Sequence, residues 1–315
     1  MTQHGEQIGQ YSQSVGPQRW SPKSLAAIRA ETLAVRRRLK EIKMQPKWMI
    51  ETDVFPEDES PLLEALGKLG IEYKSAKMYD LDTCLAAYPG EDCVIFYGSL
   101  GMAKRLIRKA KWIPGVHYNI PKYECQHYYA YLGKYLLNAN YMFVPFGELM
   151  RQKEFLYEHM GTDRTIFVRP DRADKPFVGR VIYKEKFDED VDRLGWGQMK
   201  PEELIVISEP RNIKFEWRFV VVEGKVIAGS QYKEKDRVAI VEGYPQGAFD
   251  FASHIASIYD PDICWVCDVC QTKHDEFKIM EVGCFSCAGL YKCDREAVVK
   301  AVSDAAVKEW ESYQA

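Results

Sequence analysis

The sequence predicts a two-domain protein in which an α/β layer precedes a larger α+β region. The chain has 315 residues, which suits two domains of roughly 100–200 residues each. Strand and helix signals alternate up to about residue 150, as in a parallel sheet covered by helices, and strands dominate the sequence that follows. We therefore predict a domain boundary near residue 150.

The composition is that of a globular protein with no general affinity for polyanions. Hydrophobic residues make up 46% of the chain and charged residues 28%, which excludes disordered and fibrous classes. The net charge of -3 provides no overall attraction to nucleic acid, so a bound polyanion would need a local cluster of cations. Small phosphate compounds fit such a cluster better than duplexes do.

The sequence has no sign of a membrane or secreted protein. No apolar run approaches the roughly 18–20 residues of a membrane span, and the polar start "MTQHGEQIGQYSQS" lacks the apolar core of a signal peptide. These features favour a cytoplasmic location. The nine cysteines are then expected to be reduced thiols, many of them buried, and not disulfides.

Residues 1–47 are predicted to form a tail and a basic helix. The first twenty residues are rich in Gln, Ser and Gly, and the next segment has Ser21 as a helix N-cap and Pro22 at the first helical position. The basic residues of this helix are predicted either to form a solvated face or to contact an acidic partner. They are Arg36, Arg37, Arg38 and Lys40.

Residues 48–150 are predicted to form the α/β layer. "KWMIET", "IEYKSAKM" and "CVIFYGS" have strand signals, and "SPLLEALGKLG" has helical periodicity. The segment "GSLGMAKRLIRKA" indicates a glycine-containing turn into a helix, whose N-terminus could hold an anion. Gly98 and Gly101 do not complete a dinucleotide fingerprint, so this signal for nucleotide binding is weak.

A tyrosine-rich segment, residues 117–146, connects the two predicted domains. Dense aromatic residues favour core or interdomain packing, and stacking on a ligand is the alternative. From about residue 150 the pattern changes to a helix, strands around a charged loop, a long hairpin region and a C-terminal helix.

Three cations stand on or beside predicted strands of the second domain. In "FVRPDRADKPFVG", Arg169 ends one strand and Lys175 precedes the next, and "FEWRFVVVEGKVIAGSQY" places Arg218 on an alternating strand before a Glu-Gly turn. A charge half-buried on a strand needs an anionic partner. Together these cations predict a clamp for a triphosphate, although solvated surface cations are the simpler alternative for the loop alone.

Two carboxylates are predicted to meet in the hairpin "CWVCDVCQTKHDEFKIMEVG". Strand alternation puts Phe277, Ile279 and Glu281 on one face of the returning strand. A turn centred between residues 274 and 275 would place Asp268 directly opposite Glu281, with the β carbons roughly 5 Å apart. Because two such carboxylates repel each other, the pair predicts a hard cation such as Mg²⁺ that also binds substrate phosphates.

The same hairpin contains cysteines at metal-ligand spacing. Cys264, Cys267 and Cys270 form a C-x-x-C-x-x-C run, and Cys284 and Cys287 add a second C-x-x-C, so zinc or iron–sulfur binding is an alternative. Residues three apart on a strand point to opposite faces, and no glycine in the run supplies a knuckle turn. Buried, inert thiols are therefore favoured.

These segments together resemble the ATP-grasp superfamily, most closely its clade named for two arginines and a lysine, common in bacteriophages and bacteria. The resemblance lies in "FVRP…KPFVG", "EWRFVVVEGKVIAGSQY" and "CDV…IMEVGCFSCAGLY". It spans about residues 48–305, more diffusely in the first half. It implies an ATP-grasp domain at residues 151–315, with a small subdomain at about 151–210 and a large one at about 211–305, after a pre-ATP-grasp α/β domain.

The resemblance also implies roles for individual residues. Arg169 and Lys175 would contact phosphates, Arg218 would contact phosphate or acyl phosphate, and Asp268 and Glu281 would bind Mg²⁺. In "LIVISEP", Ser208 and Glu209 would lie beside the adenine and ribose.

The chain departs from the family at one position near the metal ligands. It has Gly283 where the family usually has Asn, which puts a second metal ion in doubt.

The expected activity is ATP-dependent joining of a small-molecule or peptide carboxylate to an amine through an acyl phosphate. Catalysis of phosphoryl transfer relies on positioning and charge neutralisation, so the absence of a nucleophilic triad is no obstacle. In that reaction Arg218 and Lys175 would be the catalytic cations. The alternatives are a kinase of the same fold and a cysteine-rich metal-binding sensor or scaffold without catalysis.

Overall fold

The computed structural model of the protein describes residues 44–194 and 199–315. The predicted tail and basic helix, including Ser21, Pro22 and the run from Arg36 to Lys40, lie outside these residues. Gln45–Ala315 form one compact unit that contains three sheets. The domain limits drawn from the sequence stay predictions.

The first sheet is parallel, with strand order β2-β1-β3-β4. Its strands and helices are β1 (Lys47–Glu51), α1 (Pro56–Lys68), β2 (Glu72–Ala76), α2 (Leu81–Ala87), β3 (Cys93–Tyr97), α3 (Leu100–Lys109) and β4 (Ile113–Gly115). All five residues of β3 are buried, which explains its unbroken apolar sequence because a central parallel strand is covered on both faces. The predicted parallel α/β layer is confirmed.

Two details of this layer differ from the sequence-based expectation. Helix α2 had no signal in the sequence; it is only seven residues long and is capped by the Asp80 side chain, which accepts from the Thr83 amide. Helix α1 extends beyond the periodic segment to Pro56, whose missing N–H is harmless in the first turn. Short capped helices lack the length over which periodicity can be detected.

The second sheet is antiparallel, with strand order β5-β8-β6-β7. Its region comprises α4 (Cys125–Leu132), β5 (Tyr141–Pro145), α5 (Glu148–Arg151), α6 (Lys153–Met160), β6 (Thr165–Pro170), β7 (Arg180–Tyr183), α7 (Phe187–Asp192) and β8 (Leu204–Ser208). Tyr123, Tyr128 and Tyr129 from the tyrosine-rich segment are buried in the main hydrophobic core, in agreement with the packing interpretation.

The third sheet is antiparallel, with strand order β11-β10-β9-β12-β13. Its region comprises β9 (Ile213–Val222), β10 (Lys225–Glu234), β11 (Arg237–Glu242), α8 (Gln246–Ile258), β12 (Cys264–Thr272), β13 (Phe277–Cys284) and the C-terminal helix α9 (Arg295–Tyr313). The predicted Glu-Gly turn joins β9 to β10, with φ of 50° at Glu223 and 71° at Gly224. Two positive φ angles suit the tight hairpins that match strand twist.

Helix α9 ties the end of the chain to the first sheet. Trp48 of β1 donates its indole N–H to Ser303 Oγ at 3.0 Å within the protein interior. Arg295, at the start of α9, donates to Asp58 Oδ1 of α1 at 2.5 Å, and both side chains are buried. Throughout the described ranges, no helix combines the length and the apolar character needed to cross a membrane.

Candidate active site

Arg218 and Asp268 form a buried ion pair between neighbouring strands. They are register partners on β9 and β12, and Arg218 donates Nε and Nη2 to the two carboxylate oxygens of Asp268 at 2.8 and 2.7 Å. Arg218 also donates Nη1 to the carbonyl of Gly289 at 3.0 Å. Because the guanidinium is held at three nitrogens, its position is set by the sheet and by the loop after β13.

Two tyrosines cover the Arg218 guanidinium. The rings of Tyr232 and Tyr291 stack with centroids 5.0 Å apart, and the guanidinium carbon lies 5.7 and 5.2 Å from them. Burial by itself lowers the pKa of Arg218, but the Asp268 carboxylate holds that pKa well above the usual value. Arg218 is therefore a permanent, desolvated cation.

Arg169 and Lys175 converge on Glu281. Arg169 donates Nη2 to Glu281 Oε1 at 3.3 Å, and Lys175 Nζ lies 2.9 Å from Oε1 and 3.0 Å from Oε2. Burial raises the pKa of Glu281, but Lys175 and Arg169 together lower it to about 2. Glu281 is therefore ionised across the working pH range, and the predicted cations and carboxylates are brought together in one cluster.

The loop that carries Lys175 begins at an anchored residue, Asp171. The Asp171 amide donates to the carbonyl of Leu204 at 3.1 Å, and its own carbonyl accepts from the Cys125 amide at 3.0 Å. The Asp171 side chain accepts from the Gln126 amide at 2.7 Å, at the first turn of α4. The start of the loop is thus fixed to β8 and α4.

A chain of ion pairs holds the middle of the same loop. Arg172 donates to Asp174 at 2.9 and 2.6 Å and to Glu203 at 2.6 Å. Asp174 also pairs with Lys104 of α3, so the first sheet's region contacts the loop. Lys175 follows directly and has a φ of 48°, an uncommon backbone conformation for a residue with a side chain.

Asp268 stands opposite Glu281 as predicted, but the route to that pairing differs. Near the turn the hairpin pairs Val269 with Ile279, and a β-bulge then pairs Asp268 with Glu281, leaving Met280 as the extra residue. Without the bulge, Asp268 would face Met280. The pairs nearest the turn are centred on residue 274, half a residue before the predicted centre. The bulge adds one residue and so restores the predicted pairing of Asp268 with Glu281.

The bulge also changes which residues share a face. Ile279 packs in the main core with Phe277 against it, and beyond the bulge Val282 takes the core-facing place. Glu281 thus lies on the face opposite Ile279 and Phe277. The predicted common face of these three residues is wrong, because one extra residue reverses the strand's alternation.

Two cavities meet at the charged cluster. The first, here called the apolar cavity, has a volume of about 480 Å³, and the second, here called the nucleotide-sized cavity, about 530 Å³. Lys175, Asp268 and Glu281 line both. Arg218 lines the apolar cavity, and Arg169 lines the other. These shared residues form the boundary between the two cavities.

The predicted adenine-side residues lie at the end of β8. Ser208 is fully buried and its hydroxyl accepts from the Asn138 amide nitrogen. Glu209 pairs with Arg211 at 2.9 Å. Asn138 and Arg211 line the nucleotide-sized cavity, whereas Ser208 and Glu209 do not, so their predicted contact with adenine and ribose stays a prediction.

The chemistry of the site fits a magnesium–phosphate complex. Mg²⁺ needs only one or two protein carboxylates when substrate phosphates supply further oxygens, and Asp268 and Glu281 are opposed at the junction of the two cavities. Within residues 44–194 and 199–315, no group of three or more His, Cys, Asp or Glu is arranged to hold a metal by itself. A side chain at position 283 would be crowded, because a β carbon added to Gly283 would lie 3.0 Å from Val266 Cγ2.

The cysteines are free thiols, all nine of them. Cys264, Cys267 and Cys270 lie on β12, and Cys267 faces the main core. Burial raises the pKa of Cys267 well above its usual value. Such thiols are poor nucleophiles and poor metal ligands at neutral pH.

Sequence reasoning missed the residues that support Arg218. Tyr232 was part of a quoted strand and Tyr291 closed the motif "CFSCAGLY", yet neither had a signal of its own for contact with an arginine. The loop after β13, whose Gly289 carbonyl binds Arg218, is held by Asp58, since Asp58 Oδ2 accepts from the Leu290 amide at 2.6 Å. Asp58 is in turn paired with Arg295, 237 positions away. Only tertiary structure brings such residues together.

Comparison with known proteins shows a family for part of the chain. Residues 150–301 match the model of an ATP-grasp domain family, the second family of the clade named for two arginines and a lysine. No match was found among curated proteins.

Several solved structures share the fold. D-cycloserine synthetase DcsG is 14% identical, with 82% of this chain and 99% of that chain covered and a TM-score of 0.58. D-alanine–D-alanine ligase from Bacillus anthracis complexed with ATP is 12% identical, with 86% of this chain and 99% of that chain covered and a TM-score of 0.57. The ATP-grasp ligase PsnB complexed with a precursor variant, Mg and ADP is 12% identical, with 84% of this chain and 99% of that chain covered and a TM-score of 0.52. The predicted fold class, an ATP-grasp fold after an α/β layer, is confirmed.

Proposed function

Residues 150–301 form an ATP-grasp domain of the clade named for two arginines and a lysine, and from this premise we propose that the protein is an ATP-dependent carboxylate–amine ligase. The observation that carries the proposal is the meeting of two cavities at Lys175, Asp268 and Glu281. A ligase of this kind needs one site for ATP and one for the phosphoryl acceptor, joined where the γ-phosphate is transferred.

ATP is proposed to occupy the nucleotide-sized cavity. Arg169 and Lys175 are the cations that line it beside the cluster and would contact the phosphates. Asp268 and Glu281 would hold Mg²⁺, which when bound neutralises phosphate charge. Of the similar proteins, the Bacillus anthracis ligase is described with ATP and PsnB with Mg and ADP.

The acceptor is proposed to occupy the apolar cavity. Its carboxylate oxygen attacks the γ-phosphorus of ATP, the bond from that phosphorus to the β,γ-bridging oxygen breaks, and ADP leaves with the bond's electron pair. An amine then attacks the acyl carbon, inorganic phosphate leaves and the amine loses a proton, which gives an amide. Arg218 lines the acceptor side, where a fixed, desolvated cation stabilises the charge on the transferring group.

Nucleotide turnover tests the proposal. Purified protein is incubated with ATP, Mg²⁺ and mixtures of amino acids, polyamines and short peptides, and ADP release and product mass are measured. We expect acceptor-dependent ADP release with an amide product. A stable phosphoester product instead would identify a kinase and overturn the ligase proposal.

Two variants and one matched control assign the reaction to the cluster. Asp268→Asn and Glu281→Gln are expected to lower ADP release by at least about 100-fold, because each removes a charge at the transfer point. Asp275→Asn is the control, since Asp275 lies at the exposed tip of the same hairpin and pairs only with Lys214 among the described residues. Retained turnover in both cluster variants would overturn the assignment of the transfer step to Asp268 and Glu281.

A further inference from the structure

The apolar cavity carries information on the class of its occupant. Most of its walls are apolar or aromatic, from three different parts of the chain. The lining residues include Phe55, Leu100, Tyr118, Tyr123 and Val266. A volume of about 480 Å³ is in the range of pockets for small organic ligands. Such walls favour a substrate with an apolar body over a compact polar one.

Charge pairing leaves one anion of the cavity without a partner. Lys175 pairs with Glu281, Arg218 with Asp268, and Asp58 with Arg295. Glu57, in the first turn of α1, also lines the cavity. Among the described residues no cation lies within ion-pair distance of it. Glu57 is exposed, so its carboxylate is free to contact a ligand cation in the cavity.

Two buried hydroxyl groups in the same walls also lack partners. Tyr118 and Tyr123 are each 4% exposed, and within the described residues neither hydroxyl has a hydrogen-bond partner. Leaving a buried hydroxyl unpaired costs about 1–3 kcal/mol. Both hydroxyl oxygens are enclosed by protein atoms, so a ligand in the cavity would meet the tyrosine rings and not the hydroxyls.

Building on the proposed function, we propose that the apolar cavity binds the phosphoryl acceptor as an apolar amino acid or short apolar peptide with a free ammonium group. The carboxylate of the acceptor lies at the junction with the ATP site, where Arg218 lines the cavity. Its apolar body packs on the cavity walls, and its ammonium group is recognised by Glu57. The class is thus an apolar zwitterion, in contrast to a dicarboxylate or a simple fatty or aryl acid.

Binding measurements separate these classes without relying on turnover. Isothermal titration calorimetry is performed on the full chain with Mg²⁺ and a non-hydrolysable ATP analogue. The probes are phenylalanine, a leucyl-phenylalanine dipeptide, 3-phenylpropanoate, which lacks the ammonium group, and glutamate. We expect phenylalanine or the dipeptide to bind at least about three-fold more tightly than 3-phenylpropanoate and glutamate. Equal binding, tighter binding of glutamate, or no binding of either zwitterion would overturn the inference.

Glu57→Gln provides the residue-level test. This variant is expected to lose most of the preference for the zwitterion over 3-phenylpropanoate, because an amide cannot supply the missing charge. Glu64→Gln is the matched control, because Glu64 is on the same helix, pairs with Lys68 and does not line the cavity. A preference that persists in Glu57→Gln would contradict the assigned role of Glu57.

Failure of this inference is distinguishable from failure of the ligase proposal. ADP release and amide formation with a polar acceptor would uphold the ligase and overturn the apolar zwitterion. Tight binding of phenylalanine or the dipeptide without any ADP release from ATP would uphold the cavity's ligand class and count against catalysis.

Discussion

The two halves of the charged cluster are built differently. Arg218 and Asp268 sit on adjacent strands of one sheet, and their side chains are 13% and 8% exposed. Glu281 belongs to the same sheet, but its partner Lys175 comes from a loop beside another sheet and is 44% exposed. One half is a strand-to-strand pair inside the protein, and the other is a contact between sheets that solvent reaches.

This difference indicates separate duties within the site. Moving Arg218 would break a bidentate ion pair, a bond to the Gly289 carbonyl and its contact with two tyrosine rings. Moving Lys175 breaks a half-exposed ion pair, which contributes little to stability. We therefore expect the nucleotide to rearrange the Lys175 side of the cluster and to leave the Arg218 side in place.

Loss of the buried pair is expected to have the largest effect. Asp268→Asn leaves the Arg218 guanidinium desolvated without its counter-charge, so the free energy of unfolding should fall by about 3–5 kcal/mol. Urea denaturation followed by tryptophan fluorescence measures it. Asp304→Asn, which removes an exposed pair on α9, should cost less than about 1 kcal/mol. Similar losses in both variants would erase the distinction between the two halves.

Removal of the exposed cation should affect turnover and spare the fold. Lys175→Ala is expected to lower ADP release by about 100-fold because a phosphate contact is lost, with a smaller loss in the free energy of unfolding than Asp268→Asn causes, because Arg169 still pairs with Glu281. Steady-state kinetics and urea denaturation on the same preparation give both values. A large stability loss would mean that Lys175 is structural.

The pH dependence of stability tests the Glu281 contacts. The pKa of Glu281 is lowered from 4.5 to about 2 by Lys175 and Arg169, against the opposing effect of burial. Ionised Glu281 therefore stabilises the fold above pH 4.5, and this contribution disappears as the pH falls from about 4.5 through 2. Urea denaturation across this range should show that the free energy of unfolding falls less steeply with decreasing pH in Glu281→Gln than in the wild type. Parallel profiles would refute the assignment.

Substitution of Asp174, which ties the Lys175 loop to α3, should have the smallest effect on turnover. Asp174→Asn weakens the link from the Lys175 loop to Lys104 and Arg172, so Lys175 is held less firmly where the phosphates bind. We expect the KM for ATP to rise a few-fold while kcat changes little, since a mainly positioning role affects ground-state binding. A fall in kcat alone would indicate instead that the anchor acts in the transfer step.

The charged residues of the site could be predicted from the sequence more completely than the features that hold them in place. Arg218 on an alternating strand and Asp268 opposite Glu281 could be inferred because strand periodicity and hairpin pairing are local. The bulge at Met280 has no clear local signal, so the turn centre and the face of Ile279 were misjudged. The parallel first sheet followed from the alternation of elements.

Other features depended on contacts between distant residues. Asp58 with Arg295, and the Tyr232–Tyr291 stack over Arg218, join segments whose spacing carries no information about contact. The apolar cavity likewise combines α1, the tyrosine-rich segment and the last hairpin. Helix α2 was missed because seven residues are too few for a periodic signal.

The extra residue at Met280 makes the length of this hairpin a functional property in its own right. The regular register near the turn places position 280 opposite Asp268, so a one-residue deletion between Phe277 and Glu281 would remove the bulge and leave the acid opposite Asp268. A two-residue deletion would instead move the acid to the position of Ile279, which packs in the core. Homologous chains should therefore tolerate the loss of one residue in this stretch but not of two.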